Sequence, residues 1–528
     1  MMRRAVSPAL ALLASFLAAA IPPSPPAFPG EEGGILTFHG DLGRTGWNSA
    51  ERALTPSTAP FVHRVWTAGV EGEIYAEPLV VPGLAMFGRV RTVVYVVTER
   101  NRVYALDAVD GKILWGPISL GQPVPRASLP CGNIDPVGIT STPVIDRGAG
   151  TVYVVGLTTP DGGRSKAYTI AALDVKSGTM RPGWPAEVAP RAVSGRRFDP
   201  GVQQQRGALT LFHGVVYVPF GGYRGDCGDY HGWVVAVPLA SPTTQDGYVT
   251  PSPRMAGIWA TGGLAADANG NLYAATGNSE SRGRVDLGNS VIRLFTSPLR
   301  FSGAPRDYFT PSNHVALNEG DTDLGSTAPL VLPGEAGAST PHLLFIAGKQ
   351  GVGYLINRDN LGGQSRGNGV AGEGVYSRCL FGSCGYGGAE VASATAYWDG
   401  GSAGRLIFVP GRGRQPGPCR GTGGIAALRL GTAPGSRTAT FAIAWCGPSM
   451  SDPGAPAVSG AGPDGGLVWI VDHGAGVLYA LRARTGAAVY VSRGADALRE
   501  THRFITPAVW DGRVYVGAGH DVVAYGLQ

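Results

Sequence analysis

Short apolar runs recur along this chain, each broken by glycine, proline or asparagine. That pattern predicts strands and hairpins rather than helices. The runs come in pairs. "VVYVVTERNRVYALDAVDGKILW" (93–115) reads as strand, turn, second strand, glycine turn, and a third strand closing on tryptophan. Similar pairs follow as "TVYVVGLTTP…YTIAALDVKSG", "VVYVPFGGYRG…GWVVAVPLA", "NLYAATGNSES…SVIRLFTS", "FIAGKQGVGYLINRDN", "RLIFVPGRG…GIAALRL", "LVWIVDHGAGVLYALRARTG" and "RVYVGAGHDVVAYGLQ", which makes eight copies. Each is preceded by a short extended piece such as "GITSTPVID", "LGSTAPLVL" or "FITPAVWDG", so the unit has four strands, A to D.

A four-stranded unit repeated around a ring predicts an all-β, eight-bladed β-propeller. The last copy stops after three strands, while "FVHRVWTAG" (61–69) reads as an unattached fourth strand. Pairing the two would close the ring and remove an open sheet edge. The expected organisation is a signal peptide over 1–20, a Pro-rich segment and lead-in over 21–60, and one propeller over 61–528. Propeller geometry puts the D-to-A and B-to-C loops on one face. The long insertions 220–232, 277–289, 376–391 and 410–424 all fall there, which marks that face as the functional one.

Composition changes the picture only in part. Hydrophobic residues make up 44% of the chain and charged residues 15%, with 82 Gly and 41 Pro. These values exclude disorder and suit a turn-rich β protein. A net charge of +5, with scattered arginines, gives no basis for nucleic-acid binding. Arg3 and Arg4, an apolar stretch from Ala5 to Phe16, and Ala18–Ala20 read as a cleaved export signal, so a secreted or periplasmic protein without a membrane span is expected.

Six cysteines, Cys131, Cys227, Cys379, Cys384, Cys419 and Cys446, all fall on the functional face. Their even number in an exported chain predicts disulfides. Proximity in the repeat favours Cys379–Cys384, Cys419–Cys446 and Cys131–Cys227 among the fifteen possible pairings.

The unit ending "YALDAVDGKILW" resembles the repeat of the PQQ-like (pyrroloquinoline quinone) propeller family. "GEIYAEPLVV", "PCGNIDPVGITSTPVID", "GDYHGWVV" and "INRDNLGG" are similar to exported members of that family. More distantly, four positions resemble the site of its calcium- and quinone-dependent alcohol dehydrogenases. The resemblance implies Trp259 of "GIWATGG" as the platform under the quinone and Asn278 of "AATGNSE" as an amide ligand to calcium. It implies Asp323 of "NEGDTDLGS" as the base, preferred over Asp321 because it lies nearer its A strand. Lys349 of "KQGVGYLINRD" is implied as the cation beside the quinone.

The chemistry suits these residue types. An indole offers a flat π surface, calcium prefers oxygen donors, a carboxylate can take a hydroxyl proton, and an ammonium can stabilise negative charge on an oxygen. Lys349 is one of only four lysines, with Lys112, Lys166 and Lys176. Arg206 and Gln204 of "QQQRG" point at the channel, and Arg206 suits a cofactor carboxylate.

Two departures from that group stand out. Its adjacent cysteine pair is replaced by a single Cys131, and "FGGYRGDCGDYHGW" has no Glu to bind calcium, only Asp226 and Asp229. With no cytochrome domain expected, electrons would leave to a separate acceptor.

Each candidate also has a structural alternative: Trp259 packed between blades, Asn278 in a turn, Asp321 and Asp323 as caps or arginine partners, Lys349 exposed. His231, His473 and His520 lie on the same rim without a spacing that requires a metal. Three function classes stay open. They are a dehydrogenase using PQQ and calcium on an alcohol or sugar hydroxyl, a non-enzymatic scaffold binding a protein or glycan, and a carbohydrate-active lyase or hydrolase using rim carboxylates such as Glu77, Glu390 or Asp323. A monomer is expected.

Overall fold

The computed structural model describes residues 33–335, 338–381, 384, 390–415, 419 and 421–527. The expected signal peptide over 1–20 and the Pro-rich stretch before residue 33 lie outside the described residues. Eight antiparallel sheets of four principal strands form the propeller. Blade one, for example, runs Leu79–Met86, Arg89–Thr98, Arg102–Asp107 and Ile113–Ser119. Among the described residues there is one short α-helix, His314–Glu319, and no helix is long and apolar enough to cross a membrane.

Closure occurs as the truncated last repeat predicts. His63–Gly69 pairs antiparallel with Asp521–Gly526, from His63 against Gly526 to Gly69 against Asp521. The His63–Gly69 strand thereby becomes the outer strand of blade eight, and the hydrogen-bonding edge of the last repeat is covered.

The repeated glycine-then-tryptophan signature has a packing reason. Trp66, Trp115 and Trp445 lie on the outer strands of blades eight, one and six. Each indole nitrogen donates to a carbonyl of the next blade: Ala108 at 3.1 Å, Val175 at 3.0 Å and Ala483 at 2.9 Å. Each ring covers a turn glycine, Gly111, Gly178 or Gly486, where a Cβ would stand 2.4–2.8 Å from ring atoms. These glycines also have φ near +70°. The sequence signature is therefore the blade-to-blade contact itself, combining aromatic burial with a satisfied N–H.

Residues 35–48 do more than lead into the ring. They run round the channel and bond to the inner region of every blade. Ile35 and Val80 exchange two hydrogen bonds at 2.8 Å in blade one, and Ile145 of blade two donates to Leu36 O at 2.8 Å. Arg44 reaches Leu209 O in blade three at 3.2 Å. Ala266, Val331, Tyr397 and Val458, from blades four to seven, donate to Leu42, Gly43, Thr45 and Gly46 at 2.6–2.9 Å. Asn48 Nδ2 donates to Val509 O of blade eight at 2.9 Å. Phe38 fills the axis, clustered with Ala208, Ala394 and Ala455 of three blades. A wide ring leaves a central channel, and this segment plugs it below the functional face.

Glu77 belongs to the plug and not to the rim, which corrects its assignment as a rim carboxylate. It is buried, and its Oε2 accepts the His39 N–H at 2.8 Å. Burial pushes its carboxyl up to about 8, against the pull of Arg44. The folded protein therefore holds a proton that the unfolded chain loses, and this stabilisation is complete below the ordinary Glu range and fades as pH rises towards 8. Burial lowers the neighbouring His39 to about 3, so its contribution is lost in the opposite direction, as pH falls from 6.5 towards 3. Glu77→Gln keeps the acceptor and removes the titration. It should melt above the parent at pH 8 and close to it at pH 5. A constant difference across that range would refute the assignment.

Candidate functional site

The loops of the decorated face surround a cavity of about 1310 Å³ above the plug. Its lining includes Gln204, Arg206, Asp226, Trp259, Asn278, Asp321, Asp323, Lys349 and Glu390. The structure thus brings most of the sequence candidates into one space.

Lys349 sits in the turn between Leu343–Ala347 and Val352–Asn357, the second and third strands of blade five. The turn packs against the loop entering the same blade, with Lys349 N donating to Asp323 O at 2.9 Å. Gly348 permits that approach, since a Cβ there would lie 2.4 Å from Asp323 O. The Lys349 ammonium then lies 2.5 Å from Asp323 Oδ2, 3.0 Å from Asp321 Oδ1, and 5.6 Å from the centroid of the Trp259 ring. Asp323 Oδ1 accepts the Asn278 N–H at 2.6 Å. Asn278 Nδ2 in turn reaches Asp321 Oδ1 at 3.4 Å.

Burial and charge act in opposite senses here. Burial raises the Asp323 carboxyl, Lys349 pulls it down, and Asp321 adds to the rise; the net direction is upward. Burial works against the Lys349 charge, but the two aspartates overcome it and hold the ammonium above its ordinary value. A desolvated carboxylate beside a cation is a common arrangement at reacting centres.

Trp259 is half-buried on the cavity wall. Gly221 lets it pack there, because a Cβ at Gly221 would be 2.8 Å from that of Trp259. Arg206 lies over the Phe504 ring at 5.4 Å, and its one hydrogen bond, to Gln204 Oε1, is 3.4 Å long. Among the described residues it has no carboxylate partner. Burial and Arg224 lower it to about 10, with Tyr75 opposing.

The two aspartates of the blade-three loop part company. Asp226 lines the cavity and accepts the Tyr230 hydroxyl at 2.5 Å. Asp229 does not line the cavity. Its side chain is 82% exposed and stands 3.6 Å from His231 Nε2. Asp226 has φ +53° and Gly228 φ +79°, and this turn sends the two side chains apart. Nor do the three rim histidines gather: His231 faces Asp229, and His473 is buried with both ring nitrogens unbonded. Glu390 lines the cavity but is paired with Arg412.

All three disulfides form as the repeat register favours: Cys131–Cys227, Cys379–Cys384 and Cys419–Cys446. They are compatible with an exported protein. The first borders the cavity, because a Cβ at Gly225 would lie 3.3 Å from Cys131 Sγ. It ties the Asp226 loop to the loop entering blade two, across a separation of 96 residues. Replacing both cysteines by serine should lower stability by about 2–4 kcal/mol and speed amide exchange across 222–230. Unchanged exchange in that loop would show that the bridge does not hold it.

Sequence reasoning missed the wall formed by Glu73, Tyr75, His502, Arg503 and Phe504. Their position in the D-to-A loops of the repeat was the available signal.

No family model matches the chain, and no curated protein does. Solved structures do. A quinohemoprotein alcohol dehydrogenase from Comamonas testosteroni is similar over 94% of this chain and 80% of its own, at 16% identity and a TM-score of 0.62. The quinohemoprotein alcohol dehydrogenase ADHIIG from Pseudomonas putida HK5 covers the same shares at 15% identity and 0.61. A europium-containing methanol dehydrogenase is similar over 94% of this chain and 98% of its own, at 14% identity and 0.61. At such identities the likeness is one of fold: this chain shares the propeller architecture of these dehydrogenases.

Proposed function

We propose that this protein is a quinoprotein-type oxidoreductase that oxidises an alcohol or sugar hydroxyl with PQQ and calcium. The observation that carries the reading is the Asp323–Lys349 pair set beside Trp259 in one cavity. PQQ held with calcium supplies a two-electron acceptor. Trp259 would be the platform, and Arg206, which lacks an anionic partner, would hold an acidic group of the cofactor. Asn278 and Asp323 offer an amide and a carboxylate oxygen side by side, and Asp226 adds a second carboxylate from the neighbouring blade. That donor set has the oxygen chemistry calcium prefers. Asp229 has no part in it.

Asp323 would take the proton of the substrate hydroxyl, and the Lys349 ammonium would stabilise negative charge on an oxygen beside the indole. The buried position of Glu77 and the Glu390–Arg412 pair weigh against the lyase or hydrolase reading.

The test is to mix the purified protein with PQQ and calcium, then measure dye-linked oxidation over a panel of alcohols and sugars. Turnover with a calcium-dependent rise in melting temperature is expected. No turnover and no shift would sink the enzyme reading and leave a binding scaffold. Lys349→Met should lower turnover by about 10²-fold. It should also move the acid limb of the pH profile upward, because Lys349 holds the Asp323 carboxyl down. An unmoved acid limb would remove Lys349 from this role.

A further inference from the structure

We propose a second metal site, for a transition-metal dication of the zinc class, on the cavity wall across the ring from Lys349. Its ligands are Glu73, Glu500 and His502, whose donor atoms all lie within 4.8 Å of one another. Glu73 belongs to the loop entering blade one, and Glu500 and His502 to the loop entering blade eight. Blades two to four lie between Glu73 and the Asp323–Lys349 pair of blade five, and blades six and seven between that pair and the two ligands of blade eight.

Two further observations point to a cation. First, His502 Nε2 is buried and stands 3.3 Å from Glu73 Oε2 without forming a hydrogen bond to it. That separation is poor for a bond but matches two ligands of one tetrahedral ion, which bonds at about 2.0–2.2 Å put roughly 3.3–3.5 Å apart. Second, Glu99 lies beside the turn that carries Glu73, with its side chain only 2% exposed and its Oε2 without a partner. Its main-chain N–H donates to Glu73 O at 3.1 Å. That Oε2 faces the turn carrying Glu73, 2.9 Å from where a Gly72 Cβ would stand.

Among the described residues the nearby cations form no ion pair with the cluster. Arg100 approaches Glu99 only to 3.8 Å, Arg503 pairs with Asp452, and no Lys or Arg pairs with Glu73 or Glu500 among the described residues. Tyr75 completes the support: its hydroxyl donates to Glu73 Oε2 at 2.7 Å and its ring stacks on His502 at 4.9 Å. Orienting contacts of this kind are usual around metal ligands. A set of one imidazole and carboxylates suits zinc or manganese, whereas calcium takes oxygen donors alone. Glu73 and His502 line the cavity, so the remaining coordination positions face it.

The experiment uses the full chain without quinone, stripped with a chelator and titrated with zinc by calorimetry in the presence of calcium. Tight uptake of one equivalent is expected, weakened at least tenfold in His502→Ala and Glu73→Gln. Glu500→Gln, at an exposed position that should not disturb folding, is expected to weaken it as well. Asn278→Ala should bind zinc like the parent. Equal zinc affinity in the parent and in a Glu73→Gln, Glu500→Gln, His502→Ala variant of unchanged melting temperature would overturn the proposal, as would full displacement of zinc by calcium. Neither outcome depends on dehydrogenase activity, so this site and the proposed function stand or fall separately.

Discussion

Replacing Arg44 by methionine should destabilise the propeller by about 3–5 kcal/mol, the range for removing one partner from a buried charged network. Arg44 is 2% exposed, and all its donors are used. Nε donates to Leu264 O at 3.0 Å, one terminal nitrogen to Thr37 Oγ1 and Phe38 O at 2.7 and 3.0 Å, and the other to Leu209 O and Thr210 Oγ1 at 3.2 and 2.7 Å. These acceptors belong to the plug and to blades three and four, so the guanidinium clamps one to the other. Methionine fills much of the volume but strands the carbonyls and leaves Asp41 without its cation.

Lysine should recover only part of the loss, since it offers three donors from one point and no planar fork. The measurement is thermal or denaturant unfolding, together with protease sensitivity at residues 33–48. A parent-like midpoint for Arg44→Met would mean that the plug contributes nothing to the ring's stability.

The second large effect concerns the chemistry. In protein loaded with PQQ and calcium, Asp323→Asn should lower turnover by about 10³-fold. Asparagine is the same size and can still accept the Asn278 N–H, but it cannot take a proton. In the parent, burial raises the Asp323 carboxyl. Activity should therefore fall away on the acid side at a pH above the ordinary carboxylate range, because the base must be ionised to act. Turnover within tenfold of the parent for Asp323→Asn would reassign the base, and Asp321, 3.0 Å from the same ammonium, would be next to test.

These predictions differ in how far the sequence could have supplied them. Asp323, Lys349, Trp259 and Asn278 were singled out because their motifs resemble the quinone site of the calcium-dependent alcohol dehydrogenases, and all four line one cavity. Asp226 and Asp229 were not separable. They lie three residues apart in one loop, and a turn with two positive φ angles decides which faces the cavity. Arg44 carried no signal at all. It is one basic residue in an aperiodic stretch, and its partners lie in strands that begin far down the chain. Glu73 and His502 are near opposite ends of the described chain, and only ring closure makes them neighbours.

What the sequence by itself determined is the local, repeating part: eight hairpin-built blades, the closing strand and a preference among the disulfide pairings. Each depends on residues within one blade or in adjacent blades, so the repeat register carries it. The tertiary structure alone decided what fills the axis and which loop side chains converge above it. Those contacts join all eight blades at once, and no period along the chain encodes a meeting at the centre of a ring.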